Sequence, residues 1–370
     1  MTKSINSNYN STKHITKDAT SIQNNINELK YFGGRVKIDI GAYNVLKTII
    51  VDATSIMIDG GLWCCNTDPN GVFESTSGTK LRQGELGMPI MEIGNTTDPI
   101  SGAVIKNLGF QGDILGMDTR PLVNFKKPIE NSGICLDKVR TDQCEFTKLS
   151  FCGLANAICA TGNSEIDACT FDKINTDGCG NGFYFAPRAS YYCKITNCVC
   201  ADNPYYGFYL KGNTTLHNVI ISQTTFVRNG GAFSDNDNHA AVFFDTASNC
   251  EINNCIFDDP GTFWFYNATD TLNDQRKPSH RKTVALRVYG NSNRIKDNTF
   301  LNSSTYSIYI KGDGNVLLNN ICDGDVYIDG ENNVISNLIF TKDTSKLILT
   351  SKAKNSTAIY NLDKSKIIYV

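Results

Sequence analysis

Apolar and polar residues alternate along this chain in runs of a few residues, the period of half-buried strands rather than of helices. The segment CEINNCIF, ending at Phe257, shows the pattern clearly: Ile252 reads as inward, Asn253 as outward, Asn254 as a bend, and Ile256 and Phe257 as a return to the interior. Nearly the same phrase recurs as IKNLGF ending at Phe110, FTKLSF at Phe151, IDACTF at Phe171, ITNCVC at Cys200, ISQTTF at Phe226, IKDNTF at Phe300, LLNNIC at Cys322 and ISNLIF at Phe340. A second short strand is read as preceding each phrase: NSGICL, NAICAT, GFYFAP, GFYLKG, AAVFFDT, VALRVYG, SIYIKG, DVYIDG and KLILTS.

Repetition at intervals of roughly 20 to 43 residues, with Gly and Asn at the corners and no helical period between, predicts an all-β fold. The specific expectation is a single-domain right-handed parallel β-helix, a solenoid of about ten coils. Equivalent positions on successive coils of such a solenoid lie about 4.8 Å apart, so like side chains form ladders. Phe110, Phe151, Phe171, Phe226, Phe257, Phe300 and Phe340 are expected to make one interior stack. Asn107, Asn197, Asn254, Asn319 and Asn337 are expected to make a second, with amides bonded rung to rung at the bend. Cys169, Cys198 and Cys255 then fill, as small core residues, one position that Leu108, Leu149 and Leu338 fill elsewhere.

A solenoid has open ends that need covers. Residues 18–34 carry Ile22, Ile26 and Leu29 at helical spacing before a Gly-Gly stop, which predicts a helix capping the first coil. Residues 1–17 read as a polar tail, and 35–370 as coils with insertions at 61–88, 111–132, 227–239 and 258–282.

Charge and composition narrow the function. A formal net charge of −2 and the lack of a basic run argue against nucleic acid as a partner. No stretch approaches the roughly 18 apolar residues of a membrane span. The polar start MTKSINSNYNSTKHITKD has no signal-peptide core, and fourteen cysteines without a finger-type pair of C-x-x-C motifs read as free thiols, so a cytoplasmic protein is expected, with a virion protein as the alternative. No zinc-type His cluster, P-loop or Gly-x-Ser-x-Gly elbow occurs; neither metal nor cofactor is expected.

In a solenoid the coils are scaffold and the insertions build the site. Those that follow the phenylalanine corner hold Asp177, Asp202, Asp237, Asp259, Tyr205, Tyr206, His239, Trp264, Tyr266 and Arg276. Paired carboxylates with aromatic platforms are what glycoside cleavage requires: one acid protonates the leaving oxygen, another acts as base or nucleophile, and rings stack on sugar faces. Asp202 is the first candidate acid, with Asp177, Asp245 and Asp259 for the second; Tyr205, Tyr206, Asp237, His239, Trp264, Tyr266 and Arg276 are candidate substrate-binding residues. Alternation in the second strands also turns Tyr184, Tyr209, Phe243, Tyr309 and Tyr327 outward in a stripe, which is expected to meet a sugar chain or an oligomer interface.

NTDG at 175–178 and RIK at 294–296 resemble fragments of the polygalacturonase signature, without its Gly-His-Gly. The opening DATSIQNNINELKYFGGRVKIDIGAYNV resembles the first coils of the pectate-lyase-like β-helix superfamily. NTDPNGV at 67–73, TTDPISGAVIKNLGFQGD at 96–113 and the run from GDGNVLLNN to LTSKAKNSTAIYNLDKSK are similar to the inulin fructotransferase and difructose-dianhydride hydrolase family. That resemblance implies a homotrimer with sites at subunit boundaries and an enzyme that cleaves or rearranges glycosidic bonds of a fructan-derived or similar oligosaccharide. Tyr205 and Tyr206 stand where the family would carry an acid. The alternatives are a phage tailspike-type polysaccharide depolymerase and a non-catalytic glycan-binding β-helix.

Overall fold

The computed structural model describes residues 17–63, 78–85, 87–112, 130–162, 164–212, 218–230, 240–265, 277–280, 283–303, 305–354 and 356–370. The two kinds of strand separate into two long parallel sheets. All nine of the second strands named above fall in one sheet of twelve, running from Ile49–Val51 to Ile367–Tyr369. Twelve strands exceed the expected ten or so, the additional ones being Ile49–Val51, Met91–Ile93 and Ile367–Tyr369, and each of the nine follows its phrase along the chain instead of preceding it. The phrases build a sheet of twenty-one strands, mostly two short pieces per coil hinged at a bend. A third sheet of four strands, Ile100–Ser101, Arg140–Asp142, Glu165–Asp167 and Ala189–Tyr191, lines the early coils.

The hinge is a single left-handed residue. Asn107, Asn197, Asn254, Asn319 and Asn337 have φ of +58°, +54°, +51°, +54° and +52°, a region Asn tolerates because its short amide bonds locally. Such a residue turns its side chain away from the core, so this amide ladder lies on the outside and not in the interior as expected. Of the five, only Asn337 and Asn319 bond to one another, Asn337 Nδ2 donating to Asn319 Oδ1 at 2.8 Å as Asn361 Nδ2 does to Asn337 Oδ1, whereas Asn107, Asn197 and Asn254 donate to Asp59, Asp172 and Asn253. The buried amide ladders are other ones: Asn298 donates to Asn320 at 3.1 Å, while Asn293 donates to Asn315 and Asn315 to Asn333 at 3.1 and 3.2 Å. Past the hinge the alternation restarts with Cys255 inward, which leaves Ile256 outward and exposed rather than in the core.

Phenylalanines stack as expected on most rungs, with ring centroids 4.8 Å apart for Phe110 and Phe151, 5.1 Å for Phe226 and Phe257 and 4.6 Å for Phe257 and Phe300. Between these groups the ladder runs through Thr176 and Cys200. Phe171 belongs to a different stack, 4.9 Å from Phe146. IDACTF imitates the phrase but is slipped by one strand, since Ile166 sits in the four-stranded sheet and Phe171 lies near the start of the next strand. The same slip moves Cys169 to the ladder of Cys144 and Cys193, whereas Cys198 follows Leu108, Leu149 and Ile174 as expected. Phe340 closes the main ladder above Cys322 and is only half-buried.

The cap is the helix Thr20–Leu29, which seats Ile22 and Ile26 in the core against the strands Gly34–Lys37 and Ile49–Val51. Gly33 stops it at φ +65°, where an added Cβ would stand 2.8 Å from the Ser55 carbonyl oxygen.

Candidate functional site

The corner leading from the phrase sheet to the twelve-stranded sheet also uses one left-handed residue per coil. Gly153, Gly178, Asp202, Arg228, Asp259 and Asn302 occupy it in succession at φ of +62°, +63°, +52°, +50°, +51° and +53°. The backbone locks each to the next coil: Asp202 N–H donates to Val227 O at 3.0 Å, Arg228 N–H to Asp258 O at 2.9 Å and Asp259 N–H to Leu301 O at 3.2 Å. Three successive rungs therefore carry the charges Asp202, Arg228 and Asp259.

Arg228 donates from Nε and Nη2 to the two oxygens of Asp202, at 2.7 and 2.6 Å. These bonds raise its pKa, which burial opposes and the nearby charges of Asp202, Asp177 and Asp259 reinforce. Asp177 faces out one coil earlier, opposite Ala201. The floor of the corner is a buried amide pair: Asn203 Nδ2 donates to Asn229 Oδ1 at 2.8 Å and Asn229 Nδ2 to the Cys200 carbonyl at 2.8 Å. Arg228 was not singled out from the sequence, although laying ADN at 201–203 over VRN at 227–229 and DDP at 258–260 puts its charge between the two acids.

Three residues after Asp202 the chain enters the twelve-stranded sheet through Tyr205 and Tyr206. On the outer face of that sheet Cys159, Tyr184, Tyr209, Phe243, Arg287, Tyr309 and Tyr327 stand in one register. The expected aromatic stripe is thus present, interrupted by an arginine. Tyr184 and Tyr209 stack at 5.0 Å, and Tyr309 and Tyr327 at 4.5 Å. Its centre is not the open surface expected, for Tyr209 and Phe243 are only 8% and 4% exposed. Tyr206 packs on Tyr209 at 4.9 Å, and burial pushes its hydroxyl up to about 12. A parallel ladder carries Lys211, Asp245, Tyr289, Lys311 and Asp329 beside the rings; its middle positions follow the strand ends at Asp245 and Lys311. Tyr209 Oη donates to Asp245 Oδ2 at 2.8 Å, and burial followed by this bond raises the tyrosine pKa.

Of the candidate acids, Asp202 therefore pairs with Arg228 and Asp177 and Asp259 act on its charge, whereas Asp245 stands on the tyrosine face. Tyr205 and Tyr206 lie where corner and face meet. Trp264 falls in a two-stranded antiparallel piece, opposite Pro278. Asp237, His239, Tyr266 and Arg276 lie outside the described residues. Among the described residues no group of three or more His, Cys, Asp or Glu is placed to hold a metal ion, and no helix is long and apolar enough to cross a membrane.

The family described as right handed beta helix region matches residues 123–274. The chain is a right-handed parallel β-helix. Solved structures with the same fold include the DFA-IIIase of Arthrobacter chlorophenolicus A6 without its lid in complex with GF2, at 13% identity and a TM-score of 0.61 over 97% of this chain and 96% of that one. The catalytic domain of Agl-KA is similar at 9% identity and a TM-score of 0.59 over 97% and 68%. The catalytic domain of a GH87 alpha-1,3-glucanase in complex with tetrasaccharides follows at 11% identity and a TM-score of 0.51 over 91% and 63%. Among curated proteins no sequence matches.

Proposed function

We propose that this β-helix is a carbohydrate-active enzyme that cleaves or rearranges a glycosidic bond of a fructan-derived or similar oligosaccharide. The observation that carries the reading is the corner itself: Asp202 gripped by Arg228, with the charges of Asp177 and Asp259 acting on the same guanidinium, and the chain passing from there into the tyrosine-bearing strand Tyr206–Lys211. The tetrasaccharides and alpha-1,3-glucanase activity named for one of the similar folds support an oligosaccharide substrate. Glycosidic cleavage places two carboxyl groups about 5 Å apart for retention or up to about 9.5 Å for inversion. With rungs about 4.8 Å apart, Asp177 lies roughly one rung from Asp202, and Asp259 roughly two.

Asp202 accepts from Arg228 through both oxygens, which suits the charged role of base or nucleophile. The proton donor is then Asp177 or Asp259. Asp245, bonded by Tyr209, belongs to the binding of the sugar rather than to its cleavage.

The test is turnover of inulin, difructose dianhydrides, oligogalacturonides and bacterial capsule glycans, followed by chromatography of products. Release of fructose or inulobiose by the wild type, lost in Asp202→Ala, supports the proposal. Cleavage of capsule glycans alone transfers the protein to the depolymerases, and binding without cleavage of any member removes the catalytic role.

A further inference from the structure

Among the described residues, a buried cation on the tyrosine face has no anion paired with it. Arg287 is 5% exposed, with its guanidinium carbon 5.0 Å from the Tyr309 ring centre, 5.6 Å from that of Tyr289 and 6.0 Å from that of Phe243. Its Nη1 donates to Tyr289 Oη at 2.6 Å, while Nε is buried without an acceptor. Among the described residues no carboxylate is in ion-pair contact with Arg287, Lys211 or Lys311. Lys311 Nζ rests on the same two tyrosines, 5.4 Å from the Tyr289 ring centre and 5.5 Å from that of Tyr309, so two cations share one pair of rings. Of the two acids of the adjoining ladder, Asp245 is bonded by Tyr209, and Asp329, opposite Lys311, by Thr350.

Rings offset part of the cost of withdrawing a guanidinium from water, but a buried charge without an anion is an expensive thing to retain. The unbonded Nε lies on the side of the guanidinium with which arginine grips a carboxylate through two parallel bonds. We propose that the tyrosine face contains an anionic subsite in which Arg287, assisted by Lys311, binds the carboxylate of an acidic sugar residue. This rests on the reading of the face as a saccharide site and, among the fructan-derived or similar oligosaccharides, selects a uronate-bearing one in place of a neutral fructan.

The experiment titrates wild type, Arg287→Met and Lys311→Met by calorimetry with galacturonate and mannuronate trimers and with their neutral methyl esters. Thermal unfolding of each ligand-free protein is measured alongside. In the wild type one free acid binds at least about tenfold more tightly than its ester. That preference disappears in Arg287→Met and shrinks in Lys311→Met. Ligand-free Arg287→Met unfolds at the same or a higher temperature, since an unpaired buried charge has been removed.

Equal affinity for acid and ester, failure of both acids to bind, or a preference that survives in Arg287→Met overturns the subsite. Lower stability of Arg287→Met with no acid preference in the wild type does so too, and makes Arg287 a packing residue. Cleavage of neutral sugars without acid preference sinks this inference and spares the enzymatic reading; acid preference without any cleavage does the reverse.

Discussion

Arg228 grips Asp202 from the adjacent coil through two parallel bonds, Nε to Oδ1 at 2.7 Å and Nη2 to Oδ2 at 2.6 Å. The residues are 26 apart in sequence and meet only because both occupy the left-handed corner of their coils. Asp202→Ala is expected to lower oligosaccharide turnover by about 10²- to 10⁴-fold, the usual contribution of a positioned acid or base. Arg228→Lys, which keeps the charge but not the fork, should fall between that variant and wild type. Steady-state kinetics decide, and undiminished turnover in Asp202→Ala would remove Asp202 from the chemistry.

Phe257 lies between Phe226 and Phe300 with no exposed surface. Phe257→Ala should cost about 3 to 5 kcal/mol. Phe340→Ala, at the half-buried end of the same ladder, should cost clearly less. Denaturant unfolding of the two variants compares them, and equal losses would contradict a stack of unequal burial.

Asn298 accepts from the Cys255 N–H at 3.0 Å and donates to Asn320 Oδ1 and the Ile252 carbonyl, each at 3.1 Å. Leu149 fills the corresponding place in an earlier coil, yet Asn298→Leu should not be benign. It strands buried polar groups at about 1 to 3 kcal/mol each. Amide exchange at Cys255 should speed up in the variant, and unchanged protection would show that the bond is dispensable.

Asp59 provides the pH dependence. Burial acts to raise its pKa, but bonds from Asn107 at 2.8 Å, the Gly61 N–H at 2.9 Å and Arg35 at 2.6 Å, with the charge of Lys106, bring it below the ordinary value. A carboxyl whose folded pKa is depressed stabilises the protein above its unfolded value of about 3.9 and loses that contribution as pH falls through the folded one. Wild type should therefore melt above Asp59→Asn at pH 7, with the gap closing on acidification. A gap that stays constant down to pH 2 would contradict the assignment.

All twelve described cysteines are buried thiols outside any disulfide. Burial pushes the thiols of Cys200, Cys250 and Cys255 up to about 12, far from the thiolate range in which cysteine reacts. Because all twelve are buried, Ellman's reagent should modify none of them before denaturation, and they should appear together on unfolding. Early labelling at any of the twelve would show a coil that opens on its own.

Alternation and its repetition were enough to predict the architecture, because a half-buried strand has a period of two whatever surrounds it and its return at intervals marks stacked coils. Each second strand read from the sequence stands in the twelve-stranded sheet. IDACTF misled because it satisfies the same local pattern one strand too early, and only pairing of Phe171 with Phe146 distinguishes the two registers. The outward amide ladder was legible as a repeat but not as a side, since the left-handed hinge at Asn254 that turns it out is a backbone property.

The sequence by itself determined the solenoid, its capping helix and the identity of the residues available for chemistry. Tertiary structure alone decided which of them meet. Arg228 joins Asp202 across 26 residues, and Arg287 enters the tyrosine stripe between Phe243 and Tyr309. The physical reason is that a coil's neighbours are set by how many residues the intervening turns consume, so insertions shift the sequence spacing while leaving the rung in register.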